Sequence, residues 1–253
     1  MLVFNQYYSP GVEATAYLLH DLCRQLAADF QVTVVTGTLK HAEGHRGRAE
    51  LEGVEIVRVP STSFDRRRLG LRGLNYLTYL VLALREGLFS PRPDIVVCMT
   101  DPPVIADVAL VVAKRFRVPL VVISQDVFPE IAVELRRLEN KALVWLLRLM
   151  IHFYLKRADR VVAIGDTMRE RLEVKGAARD RIRVIPNWVD TAAIGPVPRD
   201  NDWARENEVD GRFVVMHSGN VGHAQNLDAL VRAATFLRDL DDLTIAIIGY
   251  GAR

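Results

Sequence analysis

Four short stretches of this chain combine residue types that can bind or move charge. Asp126 and Glu130 lie one helical turn apart in Gln125-Asp126-Val127-Phe128-Pro129-Glu130, directly after the apolar run Leu120 to Ser124. A loop carboxylate at a strand end can accept a proton or hold sugar hydroxyls. With Pro129 close behind it, Asp126 can equally be a helix N-cap. Asp101-Pro102-Pro103 offers a third carboxylate, or a cap followed by proline in the first helical turn. Ser218-Gly219-Asn220-Val221-Gly222 follows the apolar run Phe213 to Met216 and precedes helical spacing at Leu227, Leu230, Val231, Ala234 and Leu237. Its glycines permit a tight turn with open amides, which together with Asn220 suit a phosphate or a carbonyl. Gly249-Tyr250-Gly251 opens a similar turn after Leu243 to Ile248. Ser9-Pro10-Gly11-Val12 carries a single glycine, which serves either a phosphate at a helix start or a plain strand–helix turn.

Other chemistries find little support. A dinucleotide fingerprint needs three glycines in the first turn, so a nicotinamide or flavin enzyme is not expected. His41 and His45 have no cysteine or carboxylate cluster around them, and no metal site is expected. A net charge of +2 speaks against a nucleic-acid partner. Cys23 and Cys98 are the only cysteines and read as reduced, buried thiols of a cytosolic protein. No signal peptide opens the chain. The most apolar run, Ala142 to Leu155, is short and carries Arg148 and His152, so no bilayer span is expected.

These loops must be held by a frame, and the apolar runs supply one. Met1 to Asn5, Gln31 to Thr36, Val54 to Val59, Asp94 to Met99, Leu120 to Ser124, Arg160 to Ile164 and Ile182 to Ile185 read as strands. Helical spacing intervenes from Val12 to Leu26, Leu74 to Phe89, Pro103 to Phe116 and Lys141 to Arg157. Another helix ends at Lys175, with Thr167 and Glu170 as its capping box. Residues 39–52 and 61–72 read as polar, basic loops. The alternation predicts a doubly wound, mostly parallel α/β sheet, with ligands at the C-terminal strand ends. Phe213 to Met216 and Leu243 to Ile248 read as strands suited to burial in a second such unit, but a parallel sheet that small is expected to leave Val214, Met216, Leu230, Ile245 and Ile247 partly exposed or leaning on the first domain. The expected division is 1–190, a connection over 191–211, and 212–253 as the beginning of a second domain.

Taken in order, the motifs resemble those of retaining glycosyltransferases of family 4, which have the two-domain GT-B fold. The resemblance rests on Ile185-Pro186-Asn187-Trp188-Val189-Asp190, on Ser218-Gly219-Asn220-Val221-Gly222-His223-Ala224-Gln225-Asn226-Leu227 and on Ile248-Gly249-Tyr250-Gly251. Asp126 to Glu130 looks like the family's D-x-W-P-E loop with Phe128 in place of Trp, and Tyr8-Ser9-Pro10-Gly11 like its acceptor-side glycine loop. The most similar subgroup makes bacterial surface polysaccharides. Many members place an Arg and a Lys where this chain has Asn220 and Gln225, although the subgroup itself reads G-N-x-G-x-x-Q.

The resemblance implies a complete N-terminal Rossmann-like domain and the start of a donor-side one. It implies retaining transfer of a hexose-type sugar from a nucleoside diphosphate donor to a glycan or polyprenyl-linked acceptor, without cofactor or metal. Asp126 would be catalytic, and Gly11, Asp101, Gln125 and Glu130 would bind the acceptor. Asn220, Gly222, Gln225, Gly249 and Gly251 would bind the donor. The family's donor-site glutamate pair would fall beyond Arg253, so a fragment or truncated form, inactive by itself, is expected. A non-catalytic acceptor- or lipid-binding remnant and a GT-B-type sugar-nucleotide epimerase are the alternatives. The expected location is cytoplasmic. Arg66 to Arg68, Arg136-Arg137 and the apolar helices at Leu74 and Leu143 suit the inner face of an anionic membrane, or are simply solvated and core.

Overall fold

Successive strand residues point to opposite faces of a sheet, and here both faces are dry. Leu2 and Phe4 of β1 (Leu2–Phe4) enter one core, and Val3 enters the other. In β5 (Val96–Met99), Val96 and Cys98 join the first core while Val97 and Met99 join the second. This computed structural model describes residues 1–11, 13–38, 47–62, 64, 69–136, 138–222 and 225–251. His41, His45, Arg66 to Arg68, Val12, Arg137, His223 and Ala224 lie outside the described residues. The chain divides into two compact units, Met1–Trp188 and Val189–Arg253.

The first unit holds a sheet of eight strands in the order β3-β4-β2-β1-β5-β6-β7-β8. Its remaining strands are β2 (Val32–Thr36), β3 (Gly47–Leu51), β4 (Val54–Arg58), β6 (Leu120–Ser124), β7 (Arg160–Ala163) and β8 (Ile182–Val184). All pairings are parallel except β3 with β4. Helix α1 (Ala14–Leu26) covers one face, through Leu18, Leu19 and Cys23. The other face is covered by α2 (Leu69–Phe89), α3 (Ile105–Phe116), α5 (Lys141–Arg157) and α6 (Asp166–Val174), with α3 packed between α2 and α5. The short α4 (Glu130–Glu134) precedes α5, whose first turn is capped by Asn140 accepting from the Leu143 amide at 3.1 Å. After β8 the chain returns to α1, where the Trp188 indole donates to Asp21 at 2.6 Å.

Three expectations need correction here. Part of the stretch read as a loop, Gly47–Leu51, is an edge strand. Its residues are all exposed, so no apolar alternation marks it; the signal is Glu52-Gly53, which takes φ of 50° and 78° as a two-residue hairpin turn requires. Helix α2 begins at Leu69, inside the second loop. The Thr167–Glu170 capping box does not form: α6 starts at Asp166 behind Gly165, with no side-chain cap. The strands of the second unit are partly exposed, as expected for a sheet this small.

That unit contains α7 (Asp202–Glu206), β9 (Phe213–Ser218), α8 (Leu227–Thr235) and β10 (Leu243–Ile248). Strands β9 and β10 pair in parallel from Phe213↔Leu243 to Ser218↔Ile248. Two strands with one connecting helix cannot enclose both faces. Phe213 is 67 % exposed, and Met216 and Ile247 are exposed as well.

One carboxyl in the first unit is misplaced for stability. Asp107, in the first turn of α3, has a buried Oδ2 without a hydrogen-bond partner, and burial pushes its pKa up to about 7. Its charge bears on the buried Cys98 thiol and Tyr154 hydroxyl, both of which it disfavours ionising. Because the folded pKa lies above the unfolded one, folding is favoured while Asp107 is protonated. That stability is lost as pH rises from about 4 to about 7. Asp107→Asn should therefore stabilise the protein by on the order of 1–2 kcal/mol at pH 8, partial exposure screening the full shift. The gain should vanish near pH 4; thermal melts across that range check it, and a gain independent of pH would contradict the assignment.

Candidate functional site

In a parallel sheet every strand ends on the same side, and the loops there are the ones the cores leave open. Along this edge the ends of β1, β5 and β6 are stitched together by the backbone. The Gln6 amide donates to the Asp101 carbonyl at 2.8 Å, and the Gln125 amide donates to Thr100 Oγ1 at 3.0 Å. Gly11 turns the chain into α1, its amide donating to the Tyr8 carbonyl at 2.9 Å. A side chain there would meet Glu13 Oε2 at 2.7 Å, so the turn accepts only glycine without rearrangement. Asp101 does not cap α3, whose N-cap is Val104; Thr15 Oγ1 reaches its carboxylate at 3.5 Å instead, linking it to α1.

Gln125 and Asn187 exchange two amide hydrogen bonds, at 3.0 and 3.2 Å. The Asn of the Ile185-Pro186-Asn187 motif thus fixes the side chain at the head of the Asp126 loop. Asp126 itself is exposed and makes no hydrogen bond or ion pair among the described residues. It is not the N-cap of α4, which is Pro129. Surrounding protein raises its pKa by desolvation, while its exposed surface keeps it in contact with solvent and limits the shift. Glu130, one turn on, is committed elsewhere. Its Oε1 accepts from Arg148 Nε at 3.1 Å and its Oε2 stands 2.5 Å from Lys175 Nζ. Burial opposes its ionisation, but Lys175 and Arg148 outweigh burial and hold its carboxyl below the usual range.

Asp126, Phe128, Thr100, Tyr154 and Lys175 line a small pocket of about 10 Å³, room for about one water molecule rather than a sugar. Phe128 packs against the first core, so the ring that stands where the family motif has Trp keeps an apolar role without an indole donor. Four further polar groups on this edge were not evident from sequence. Asn5 Oδ1, Gln6 Oε1, Arg58 Nη1 and Ser124 Oγ are buried without a hydrogen-bond partner, although Arg58 also donates to the Ser9 carbonyl. Three of the four follow or end an apolar strand run (Asn5, Arg58 and Ser124), and a polar residue at that place is the signal that finds them. The two thiols are inert by comparison: burial pushes Cys23 up to about 12 and Cys98 higher still.

In the second unit the two glycine turns interlock. The Gly219 amide donates to the Ile248 carbonyl at 2.9 Å, and the Val221 amide to the Tyr250 carbonyl at 2.8 Å. A Cβ on Gly249 would strike the Gly219 carbonyl and one on Gly251 the Val221 carbonyl, so both glycines are demanded by close approach. Asn220 and Gln225 are exposed, and both converge on Gly222. A Cβ there would lie 2.7 Å from Gln225 Oε1 and 2.8 Å from Asn220 Nδ2. All five predicted donor-side residues therefore sit at the C-terminal ends of β9 and β10. His217 Nε2, buried and unpartnered in β9, is an addition. A larger groove of about 370 Å³, lined by Trp203, Val209, Phe213 and Met216, lies apart from these turns. Among the described residues no group of three His, Cys, Asp or Glu is arranged to hold a metal ion, and no helix is long and apolar enough to cross a membrane.

Comparison with known proteins bears on the family and the fold. Residues 15–193 match Glycosyltransferase Family 4. The whole chain is 25% identical, over 255 residues, to the probable glycosyltransferase WbjE of Pseudomonas aeruginosa, and spans 63% of that protein's length. Over 100 residues, 38% of this chain and 24% of the relative, it is 32% identical to the putative colanic acid biosynthesis glycosyl transferase WcaI of Escherichia coli K12. The crystal structure of Anabaena Alr3699/HepE in complex with UDP and glucose superposes with a TM-score of 0.59 at 14% identity, covering 98% of this chain and 68% of that one. That likeness establishes the GT-B type of α/β architecture. The match over most of its length shows that this chain belongs to glycosyltransferase family 4.

Proposed function

We propose that the protein takes part in transferring a hexose-type sugar, with retention, from a nucleoside diphosphate donor to a glycan or polyprenyl-linked acceptor. The first unit takes the acceptor at the edge formed by Gly11, Asp101, Gln125 and Asp126, and the second takes the donor at Asn220, Gly222, Gln225, Gly249 and Gly251. The bond from the anomeric carbon to the diphosphate oxygen breaks, a bond to the acceptor hydroxyl forms, and the hydroxyl proton leaves to a base. The observation that carries this reading is Asp126: an exposed, unpaired carboxyl at a strand end, with a raised affinity for protons, beside a Glu130 fully occupied by cations. Asp126 receives the proton or holds the hydroxyl; Glu130 braces the loop. Support for the donor class comes from the Anabaena structure, whose description names UDP and glucose. No cofactor is required by such chemistry, which rests on positioning and on stabilising the departing diphosphate. Support for the acceptor class comes from the Escherichia coli relative, whose name refers to colanic acid biosynthesis. The protein works from the cytoplasm, at the inner face of the membrane.

Two measurements test the reading. In the longest polypeptide encoded by the reading frame, Asp126→Asn should lower the release of nucleoside diphosphate by roughly a hundredfold or more, with an unchanged melting temperature. Unchanged turnover, or a loss that tracks unfolding, would remove Asp126 from the chemistry. On the donor side, titration calorimetry with UDP should show Asn220→Ala and Gln225→Ala binding about tenfold more weakly each. Both side chains are exposed, so stability should not change. Equal binding by parent and variants would place the nucleotide elsewhere.

A further inference from the structure

Two side-chain amides close a ring at the strand-end edge of the first unit. Gln125 Nε2 donates to Asn187 Oδ1 at 3.2 Å, and Asn187 Nδ2 donates to Gln125 Oε1 at 3.0 Å. A primary amide has two N–H donors and two lone pairs on its oxygen, so each partner uses one of each in the ring and keeps one of each. The ring closes only while the two amides lie head to tail, so neither can flip alone. The unused groups are therefore fixed in place. On either side of the ring an N–H stands beside a lone pair, with nitrogen and oxygen 3.0 Å apart on one side and 3.2 Å apart on the other.

The backbone on both sides of the pair is held. The Gln125 amide is bonded to Thr100 Oγ1, and the Ile185 amide donates to the Ala163 carbonyl at 2.9 Å, which carries the β8 ladder to within two residues of Asn187. Beyond Asn187, the Trp188 indole is tied to Asp21 of α1. The pair thus spans from the end of β6 to the end of β8, across the end of β7. Room is left there, since a Cβ on Gly165 would meet nothing within 4 Å. Stability does not account for such a bridge. Asn187 is exposed and Gln125 half-buried. Neutral hydrogen bonds in contact with water contribute little net stability, and ordering the two side chains costs entropy.

The pattern fits one chemistry. Two hydroxyls on adjacent carbons of a sugar ring stand about a hydrogen-bond length apart, and each can donate and accept. One hydroxyl donates to the amide oxygen while its neighbour accepts from the amide N–H. A phosphate or carboxylate has no proton for the amide oxygen, and a single hydroxyl engages the N–H and the lone pair only by sharing one oxygen between them. Asp126 follows Gln125 directly, so a sugar held by the pair lies at the strand end that carries the exposed carboxyl.

We propose that the Gln125–Asn187 amide pair binds two adjacent ring hydroxyls of the acceptor sugar, which makes Asn187 a specificity-determining residue. This rests on the acceptor-side reading of the first unit and adds what the acceptor must carry, a vicinal diol. Ligand-observed NMR on the full chain tests it, with the methyl glycosides of glucose, galactose and mannose as probes. At least one glycoside should bind. Its 3-deoxy analogue, in which no two ring hydroxyls are adjacent, should bind about tenfold more weakly. Asn187→Ala and Gln125→Ala should each weaken binding about tenfold with an unchanged melting temperature. The double variant should be no weaker than either single one, because either change opens the ring. Exchanging the partners, Gln125→Asn with Asn187→Gln, should restore binding, a recovery that a merely structural role would not give. Three results would overturn the proposal: no glycoside bound by the parent chain, equal binding of the 3-deoxy analogue, or equal binding by the alanine variants. UDP affinity, read on the same samples, should not change in any variant. A parent chain that binds a glycoside but not UDP would support the amide pair and count against the donor-side reading alone.

Discussion

A parallel sheet covered on both faces leaves its strand ends as the one place where backbone and polar side chains can meet a ligand, and the rest of this protein follows from that constraint. The two cores of the first unit divide the apolar residues of these strands between them, so nothing within β1 or β5, or in β6 before Ser124, is available for chemistry. What remains is the edge: Asn5, Gln6, Arg58, Thr100, Ser124 and the loops that follow them. The hydrogen bonds from Gln6 to Asp101 and from Gln125 to Thr100 run across neighbouring strand ends and turn that edge into one surface. Four buried side-chain atoms without hydrogen-bond partners, on Asn5, Gln6, Arg58 and Ser124, lie along it, where polar residues close the apolar strand runs.

The frame was largely legible because strongly apolar runs dictate buried strands. VVCM, LVVIS and RVVA fall where the sheet places β5, β6 and β7. Legibility failed where burial does not govern. Strand β3 has five exposed residues and is held by its pairing with β4, which leaves no pattern in the sequence. In the second unit both facts were legible: the strands have the apolar composition of a buried sheet, and two strands with one helix leave Met216 and Ile247 exposed. Helix α5 was legible only as two alternatives, core or an outer apolar face, and its residues divide between them: Val144, Ile151, Tyr154 and Leu155 are buried, whereas Leu143, Trp145, Leu146, Leu149 and Phe153 are exposed.

The glycine turns of the second unit were legible for a different reason. Two glycine turns that must interlock leave no room for a Cβ, so Gly249 and Gly251 are required by the carbonyls of Gly219 and Val221. Such steric demands appear directly as residue type. The convergence of Asn220 and Gln225 on Gly222 was visible only as spacing, and their side-chain contacts needed the fold to bring them together.

The acceptor-side loop shows where residue type stops being informative. Asp126 and Glu130 are both carboxylates, one turn apart, in a single motif, and either could have been the proton acceptor. Their surroundings separate them. Lys175, from the end of α6, and Arg148, from the middle of α5, both reach Glu130; among the described residues none makes a hydrogen bond or ion pair with Asp126. The two cations hold Glu130 ionised and fix the start of α4, which in turn sets the path of the loop back to β6. A carboxylate so neutralised has little basicity to offer a hydroxyl proton. Asp126 has the opposite balance, with a proton affinity raised by the protein around it and an open approach from solvent. Both cations lie far along the chain from the motif they organise, so the difference between a paired and an unpaired carboxyl could not be read from its five residues. It arises from the packing of α5 and α6 against one face of the sheet.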